Sequence, residues 1–264
     1  MTLLASYRDS RELFIHLTLR ELRSKYKRSF LGWAWSLVTP LATMAVYTIV
    51  FSLFFRAGPQ PGVHGLHLFA LWLMCGLLPW TFFTTGLMGS MGAVVGNSSL
   101  IAKTYFDRRL LPAASVGAAL VSHFIEMGLL IVVLAGFRDW EAVAFLPMLV
   151  VLMAIMTLVA FGTGLLVSAL NVYFRDVEHF MSIVIMIWFY LTPIIYPITI
   201  TKKFATYLKI NPMTEGVNCF RSILYYGRLP TAVDLGYFAA FGFLILAVGW
   251  TVYTRLQGGF AEEL

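Results

Sequence analysis

The sequence predicts an all-α integral membrane protein. Six membrane-spanning helices follow an amphipathic helix, and further short helices lie between the fifth and sixth spans. Three observations carry this prediction. Of the 264 residues, 59% are hydrophobic and only 12% charged, against about 25% charged in soluble domains. The apolar residues gather into six runs close to or above the ~20 residues a helix needs to cross a bilayer, without the alternation of ~10-residue barrel strands. The basic residues cluster at the ends of those runs, where they set topology, so the net charge of +6 points to a membrane and not to a nucleic acid.

The first element, residues 8–30, reads as a helix lying in the membrane interface. Ile15, Leu19, Leu22 and Tyr26 follow i, i+4, i+7, i+11 on one face. His16, Arg20, Arg23 and Lys27 fall on the neighbouring face, the pattern of a helix with its apolar side in the lipid boundary. Its basic end runs without a linker into a tryptophan-marked apolar stretch, and no charged residue occurs between Arg28 and Arg56. The spans are predicted at 31–55, at 66–95 with a break at Pro79, at 111–135, at 143–170, at 180–198 with Pro193 and Pro197, and at 235–253.

With the N-terminus inside, Arg8, Arg11, Arg20, Arg23, Lys25, Lys27, Arg28, Lys103, Arg108, Arg109, Arg175 and Arg255 are cytoplasmic. A smaller set, Arg56, Arg138, Lys202, Lys203, Lys209, Arg221 and Arg228, lies outside. The excess of Lys and Arg at the first span predicts both termini in the cytoplasm. Residues 199–231 are too polar to span and too aromatic for a plain linker. They fit either a surface hairpin or short helices dipping into the outer leaflet, which is tolerated where protein buries the backbone. Two cytoplasmic turns are distinctive: Asn97–Pro112, NSSLIAKTYFDRRLLP, and Asn171–Phe180, NVYFRDVEHF.

Chemistry is sparse. The sequence lacks G-x-x-x-x-G-K-[ST], H-E-x-x-H and G-x-S-x-G, so no ATPase, zinc protease or serine hydrolase is expected within it. The two cysteines, Cys75 and Cys219, have no metal-type spacing and form no disulfide framework. The first 30 residues lack the apolar core of a cleavable signal. His123 and Glu126 stand i, i+3 inside the third span, where an ionisable residue is either functional or a satisfied helix–helix or subunit contact. Most tryptophans read as belt anchors. The mid-span aromatics Tyr47, Phe51, Trp188 and Tyr190 are candidates to line a path.

The segments LRELRSKYKRSFLGWAWSLVTP (Leu19–Pro40), LIAKTYFDRRLLP (Leu100–Pro112), NVYFRDVEHF (Asn171–Phe180), WFYLTPIIYP (Trp188–Pro197) and NPMTEGVNCFR (Asn211–Arg221) occur in that order. In these the chain resembles the permease subunit of bacterial ABC-type polysaccharide exporters, the group of O-antigen, teichoic-acid and capsule exporters. The resemblance implies a type 2 ABC exporter fold, in which two copies of this subunit pair with two copies of a cytoplasmic ATPase that binds Mg-ATP, with no cofactor or metal in this chain. It implies an N-terminal interface helix and a coupling element seated on the ATPase, giving Arg20, Arg23, Leu100, Lys103, Tyr105, Phe106, Asp107 and Arg108 that role. It turns 199–231 into re-entrant gate helices that include Asn211, Pro212 and Arg221, and places Tyr47, Phe51, Trp188 and Tyr190 near a glycan channel between the two copies.

The function so implied is export of a lipid-linked polysaccharide, with Arg23, Lys25, Lys27 and Arg28 meeting the lipid pyrophosphate. Two other readings stand beside it. A drug or small-lipid exporter permease on the same fold calls for a closed apolar pocket. A membrane enzyme acting on polyprenyl-linked sugars calls for convergent carboxylates or a metal cluster, which the sequence does not supply. Replacing Lys25, Lys27 and Arg28 with Glu is expected to cut export several-fold while membrane insertion is unchanged. Undiminished export by the folded, inserted variant would remove the headgroup role.

Overall fold

The computed structural model describes residues 3–26, 32–50, 62, 67–137, 144–198 and 205–264, and among them all regular structure is helical. The helices are α1 (Leu3–Tyr26), α2 (Trp35–Thr48), α3 (Phe69–Ala93), α4 (Ser98–Lys103), α5 (Leu110–Phe137), α6 (Leu146–Tyr173), α7 (Val177–Leu191), α8 (Ala205–Ile210), α9 (Pro212–Leu224), α10 (Ala232–Leu256) and α11 (Phe260–Glu263). By length and composition α3, α5, α6 and α10 can cross a membrane, and α2 and α7 contribute shorter apolar helices. The chain is an integral membrane protein.

The fold is arranged around α3. Every residue from Leu71 to Trp80 is buried, as expected of a helix that is apolar on all sides and enclosed by others. It packs against α2, α5, α6, α7 and α9. The main core runs from Phe69, Trp72 and Phe83 of α3 through Met127 and Leu134 of α5 and Met156 and Val159 of α6 to Val217 and Phe220 of α9. A second, smaller core joins Leu17 of α1, Ile101 of α4, Leu111 of α5, Leu165 and Val172 of α6, Tyr253 of α10 and Phe260 of α11.

Three sequence expectations change here. The break predicted at Pro79 is absent: α3 continues from Phe69 to Ala93 with Pro79 inside it. Proline removes one donor, but in a helix enclosed by neighbours the turns on either side hold, as in many membrane helices. The predicted fifth span ends early, because α7 stops at Leu191 and Thr192–Tyr196 form turns and bends. Its 15 residues reach about 22 Å, short of the ~30 Å hydrocarbon core. Pro193 explains the stop, since the residue before a proline is pushed out of the helical region, and Thr192 is extended. In α1 the stripe expected to face lipid is joined by a second face that packs on protein. Leu17, Thr18 and Leu22 are buried and Phe14 is half-buried, whereas Ile15 and Leu19 are exposed. The helix has turned Phe14 and Thr18 onto Gly117 of α5, where any side chain would collide with them. Ile15 and Leu19 are left to face outward beside His16, Arg20 and Arg23.

The closest helix pair is α6 with α10. A Cβ at Gly249 would run into the carbonyl of Gly162, and one at Gly162 into the backbone of Leu246 and Ile245. Two glycines thus let the backbones touch, as in other small-residue membrane crossings. Gly249→Ala is expected to lower stability by about 1–3 kcal/mol through overpacking. Gly128→Ala, where a Cβ meets open space on α5, should be neutral or slightly stabilising. Thermal unfolding of both variants in one detergent checks the contrast.

Candidate functional site

Two ends of the bundle carry the features that the sequence singled out. At one end α1, α4 and α11 lie across the termini of α3, α5, α6 and α10. After Val94 the chain makes a 3-10 turn, Val95–Asn97, before α4. Asn97 closes it: Nδ2 donates to the Ala93 carbonyl at 2.7 Å, and Oδ1 accepts from Arg20 of α1 at 2.6 Å. Ile101 anchors α4 in the second core, with Leu100 and Phe106 packed against it. Lys103 and Asp107 are exposed, and Tyr105, at 103% relative exposure, stands wholly outside the fold.

The residues after Tyr105 are pinned from two directions. Asp107 takes Arg109 in a fork, with Oδ1 to Nε 2.8 Å and Oδ2 to Nη2 2.8 Å, and also accepts from the Arg109 backbone N–H. The carboxylate holds the Arg109 pKa above its ordinary value, and the guanidinium lies 4.2 Å from the Trp250 ring. Arg108 donates to the Gln257 carbonyl, and its own carbonyl accepts from the Tyr253 hydroxyl at 2.9 Å. Tyr173 donates to the Leu256 carbonyl at 2.9 Å. The turn that presents Tyr105 is therefore tied to the end of α10, which Tyr173 in turn ties to the end of α6.

At the opposite end the chain leaves α7, and α8 and α9 pack over the break. Asn211, the N-cap of α9, is satisfied on every side. Its Oδ1 accepts from the Met213 N–H at 3.1 Å and the Trp188 indole N–H at 2.9 Å, while Nδ2 donates to Thr192 Oγ1 at 2.9 Å and the Leu191 carbonyl at 3.3 Å. Pro212 occupies the first turn of α9, where its missing donor costs nothing. Arg221 is 3% exposed. It donates to the carbonyls of Pro193 at 2.6 Å, Ile194 at 2.5 Å and Trp72 at 3.4 Å, with its guanidinium 3.5 Å from the Trp72 ring centroid. Glu215, one turn into α9, is also buried, which pushes its carboxyl pKa up.

Between the two ends runs an aromatic cluster. Trp80 and Phe83 of α3 meet Trp188 edge-on, at 6.1 and 5.3 Å between ring centres. Phe189 joins Trp80 to Tyr47 of α2 at 5.8 and 6.2 Å. Trp188 is half-buried and spends its N–H on Asn211, whereas Tyr190 on the adjoining face is 55% exposed. The structure thus brings Asn211, Trp188 and Tyr47 into one connected cluster with Arg221 beside it, and Arg20 onto Asn97 in the turn that precedes α4. Arg23 is exposed on α1. Phe51, Lys27, Arg28 and the Lys25 side chain lie outside the described residues. Sequence reading missed Asn97, Tyr253 and Phe260, which hold the Leu100–Arg109 element in place. Phe260, a lone aromatic in a small and acidic tail, was the available signal.

A bundle organised around one enclosed helix, with a tethered exposed turn at one end and a packed helical cap at the other, belongs to a membrane transport domain. The family description for ABC-2 type transporters matches residues 12–225, and the chain belongs to that family. Along its length it is similar to the O-antigen export system permease protein RfbA of Myxococcus xanthus, 30% identical with 96% of each chain covered. It is also similar to the polysialic acid transport protein KpsM of Escherichia coli, 26% identical with 90% of each covered. The capsule polysaccharide export inner-membrane protein CtrC of Neisseria meningitidis is 24% identical, with 92% of this chain and 90% of that one covered.

Arg221→Leu is expected to cost about 3 kcal/mol or more, because it strands buried carbonyls. Asn211→Ala should cost about 1–2 kcal/mol through the lost cap and its bonds. Arg228→Gln, at an exposed position, should stay within about 0.5 kcal/mol of the parent. Thermal unfolding in detergent ranks the three, and an Arg221→Leu variant as stable as Arg228→Gln would disprove the bracing role.

Proposed function

We propose that this chain is the permease subunit of an ATP-driven exporter that moves a lipid-linked polysaccharide, or a related cell-envelope polymer, across the bacterial cytoplasmic membrane. The observation that carries this reading is similarity along nearly the whole chain to permeases named for O-antigen and capsule export. On this reading α2, α3, α5, α6, α7 and α10, with their flanking residues, make six spans, and both termini are cytoplasmic. Two copies of the chain assemble with two copies of a cytoplasmic ATPase, which binds Mg-ATP, and the chain itself catalyses nothing.

The end that bears α1, α4 and α11 then faces the ATPase. Lys103 and Tyr105 are exposed, and they fit a surface seated on a partner. Closure of the ATPase pair pushes on Tyr105 and Phe106. Through Asp107, Arg108 and Arg109 that push reaches α5, α6 and α10 together, while Arg20 carries it to α1. At the outer end α8 and α9 form the re-entrant gate, hinged at Asn211–Pro212 and braced by Arg221. The exposed face of α7 that carries Tyr190, with Tyr47 of α2 beside it, lines the glycan path against the second copy. Trp188 holds the gate segment in register. Arg23, Lys25, Lys27 and Arg28 receive the lipid pyrophosphate from the inner leaflet.

The test is ATP hydrolysis by the purified permease–ATPase complex in lipid. Lipid-linked glycan is expected to stimulate it several-fold, and Tyr105→Ala to abolish the stimulation while thermal stability changes by less than about 0.5 kcal/mol. Stimulation by small amphiphiles and none by the glycan would assign the same fold to a different cargo.

A further inference from the structure

A cavity of about 450 Å³ lies between α2, α3 and α5, and another of about 300 Å³ adjoins it between α1, α3 and α5. Thr85 and Ala119 line both, so the two form one groove. It runs from Glu21 and Ser24 of α1 to His123 and Glu126, halfway along α5. The larger part alone falls within the ~300–1,000 Å³ of small-molecule sites.

Its wall is rich in hydrogen-bond acceptors. Thr43, Thr81, Thr84 and Ser122 each donate the hydroxyl proton to a carbonyl of their own helix. Toward the groove they offer only lone pairs. His123 is 1% exposed and stacks on Phe82 at 5.0 Å. Among the described residues neither of its ring nitrogens has a hydrogen-bond partner. Nδ1 stands 3.8 Å from Glu126 Oε2, too far for a hydrogen bond and the kind of gap that a bridging group fills. Among the described lining residues there are two carboxylates, Glu21 and Glu126, and no Lys or Arg, although the chain's net charge is +6. Arg20 approaches Glu21 to 4.0 Å but directs its hydrogen bond to Asn97.

A carboxylate at this depth needs donors and a counter-charge. A wall of acceptors beside it selects a cation that carries several N–H donors, and a primary ammonium has three. Between these polar groups, which also include Thr39 and Thr85, the apolar side chains of Trp35, Leu77 and Phe82 suit an alkyl chain.

We infer that this groove binds a single-chain amphiphilic amine, with the ammonium between Glu126 and His123 and the chain along Trp35, Leu77 and Phe82. The site lies apart from the polymer path proposed above and does not depend on it. Native mass spectrometry of the full-length chain, released from a non-ionic detergent and titrated with n-octylamine, 1-octanol or octanoate, tests the inference. One octylamine should bind per chain, at least tenfold more tightly than either analogue. Glu126→Gln should weaken octylamine about tenfold or more, as expected for losing a charge-assisted hydrogen bond, while Glu262→Gln on the exposed tail changes nothing. The isosteric double variant Thr43→Val, Thr81→Val should weaken it several-fold and keeps the test decisive if Glu126→Gln does not fold. Equal binding of octanol and octylamine overturns the proposal, as does undiminished binding by Glu126→Gln or by the double variant, or an equal loss in Glu262→Gln.

Discussion

The guanidinium of Arg221 is the interaction on which the α8–α9 end of the structure depends. Where α7 stops at Leu191 its last carbonyls leave the helical ladder, and those that the following turn carries into the core must find a donor or cost several kcal/mol. The chain meets that demand in sequence. Thr192 returns to the carbonyls of Trp188 and Phe189, Tyr196 donates to Tyr190, Asn211 to Leu191, and the Ile194 N–H to Thr192. The carbonyls of Pro193 and Ile194 are left, and Arg221 takes both. The same side chain lies flat on Trp72 of the central helix, so the end of α7, the start of α3 and α9 share one joint. A lysine could not occupy that joint, because its point charge lacks the planar fork.

The opposite end obeys the same rule by different means. Where α3 gives way to α4, and α4 to α5, the loose carbonyls of Ala93 and Arg108 are taken by Asn97 and Tyr253, and that of Leu256 by Tyr173. Several polar side chains do here what a single arginine does at the other end. The Arg221 joint is sealed within the fold, whereas the one beside α4 opens to an exposed tyrosine and lysine.

How much of this was legible in the sequence depended on how local each feature is. The long apolar runs were visible because hydropathy is read residue by residue. The sequence reading placed a break at Pro79 and carried the fifth span on through Pro193, yet only the second ends a helix. What separates them is the surroundings: α3 is enclosed along its length, and Pro193 is followed by carbonyls that Arg221 can reach. Arg221 could be placed in the outer segment, but its contact with Trp72 spans 149 positions, and no local pattern encodes that. In α1 the apolar residues Leu13, Phe14, Ile15, Leu17, Leu19 and Leu22 allow more than one stripe, and the missing side chain of Gly117 on another helix decides between them. The pairing of His123 with Glu126 was visible because i, i+3 spacing is itself local. The acceptor-lined groove around them was not, because three separate helices and α1 build it.

The contact of α6 with α10 through Gly162 and Gly249 also bears on the order in which the molecule can be made. The helix that seals the bundle, α10, follows the other long helices described here in chain order. It clasps α6 at the glycine crossing, and it presses the ring of Phe238 against α9 where Gly216 leaves room. Until α10 is threaded into the membrane, α9 keeps its contacts with α3 and α6 but lacks one of its walls. Without α10 the other long helices keep their mutual contacts, while the cap of α8 and α9 is only partly walled in. In this architecture the insertion of α10 and the seating of that cap are coupled steps.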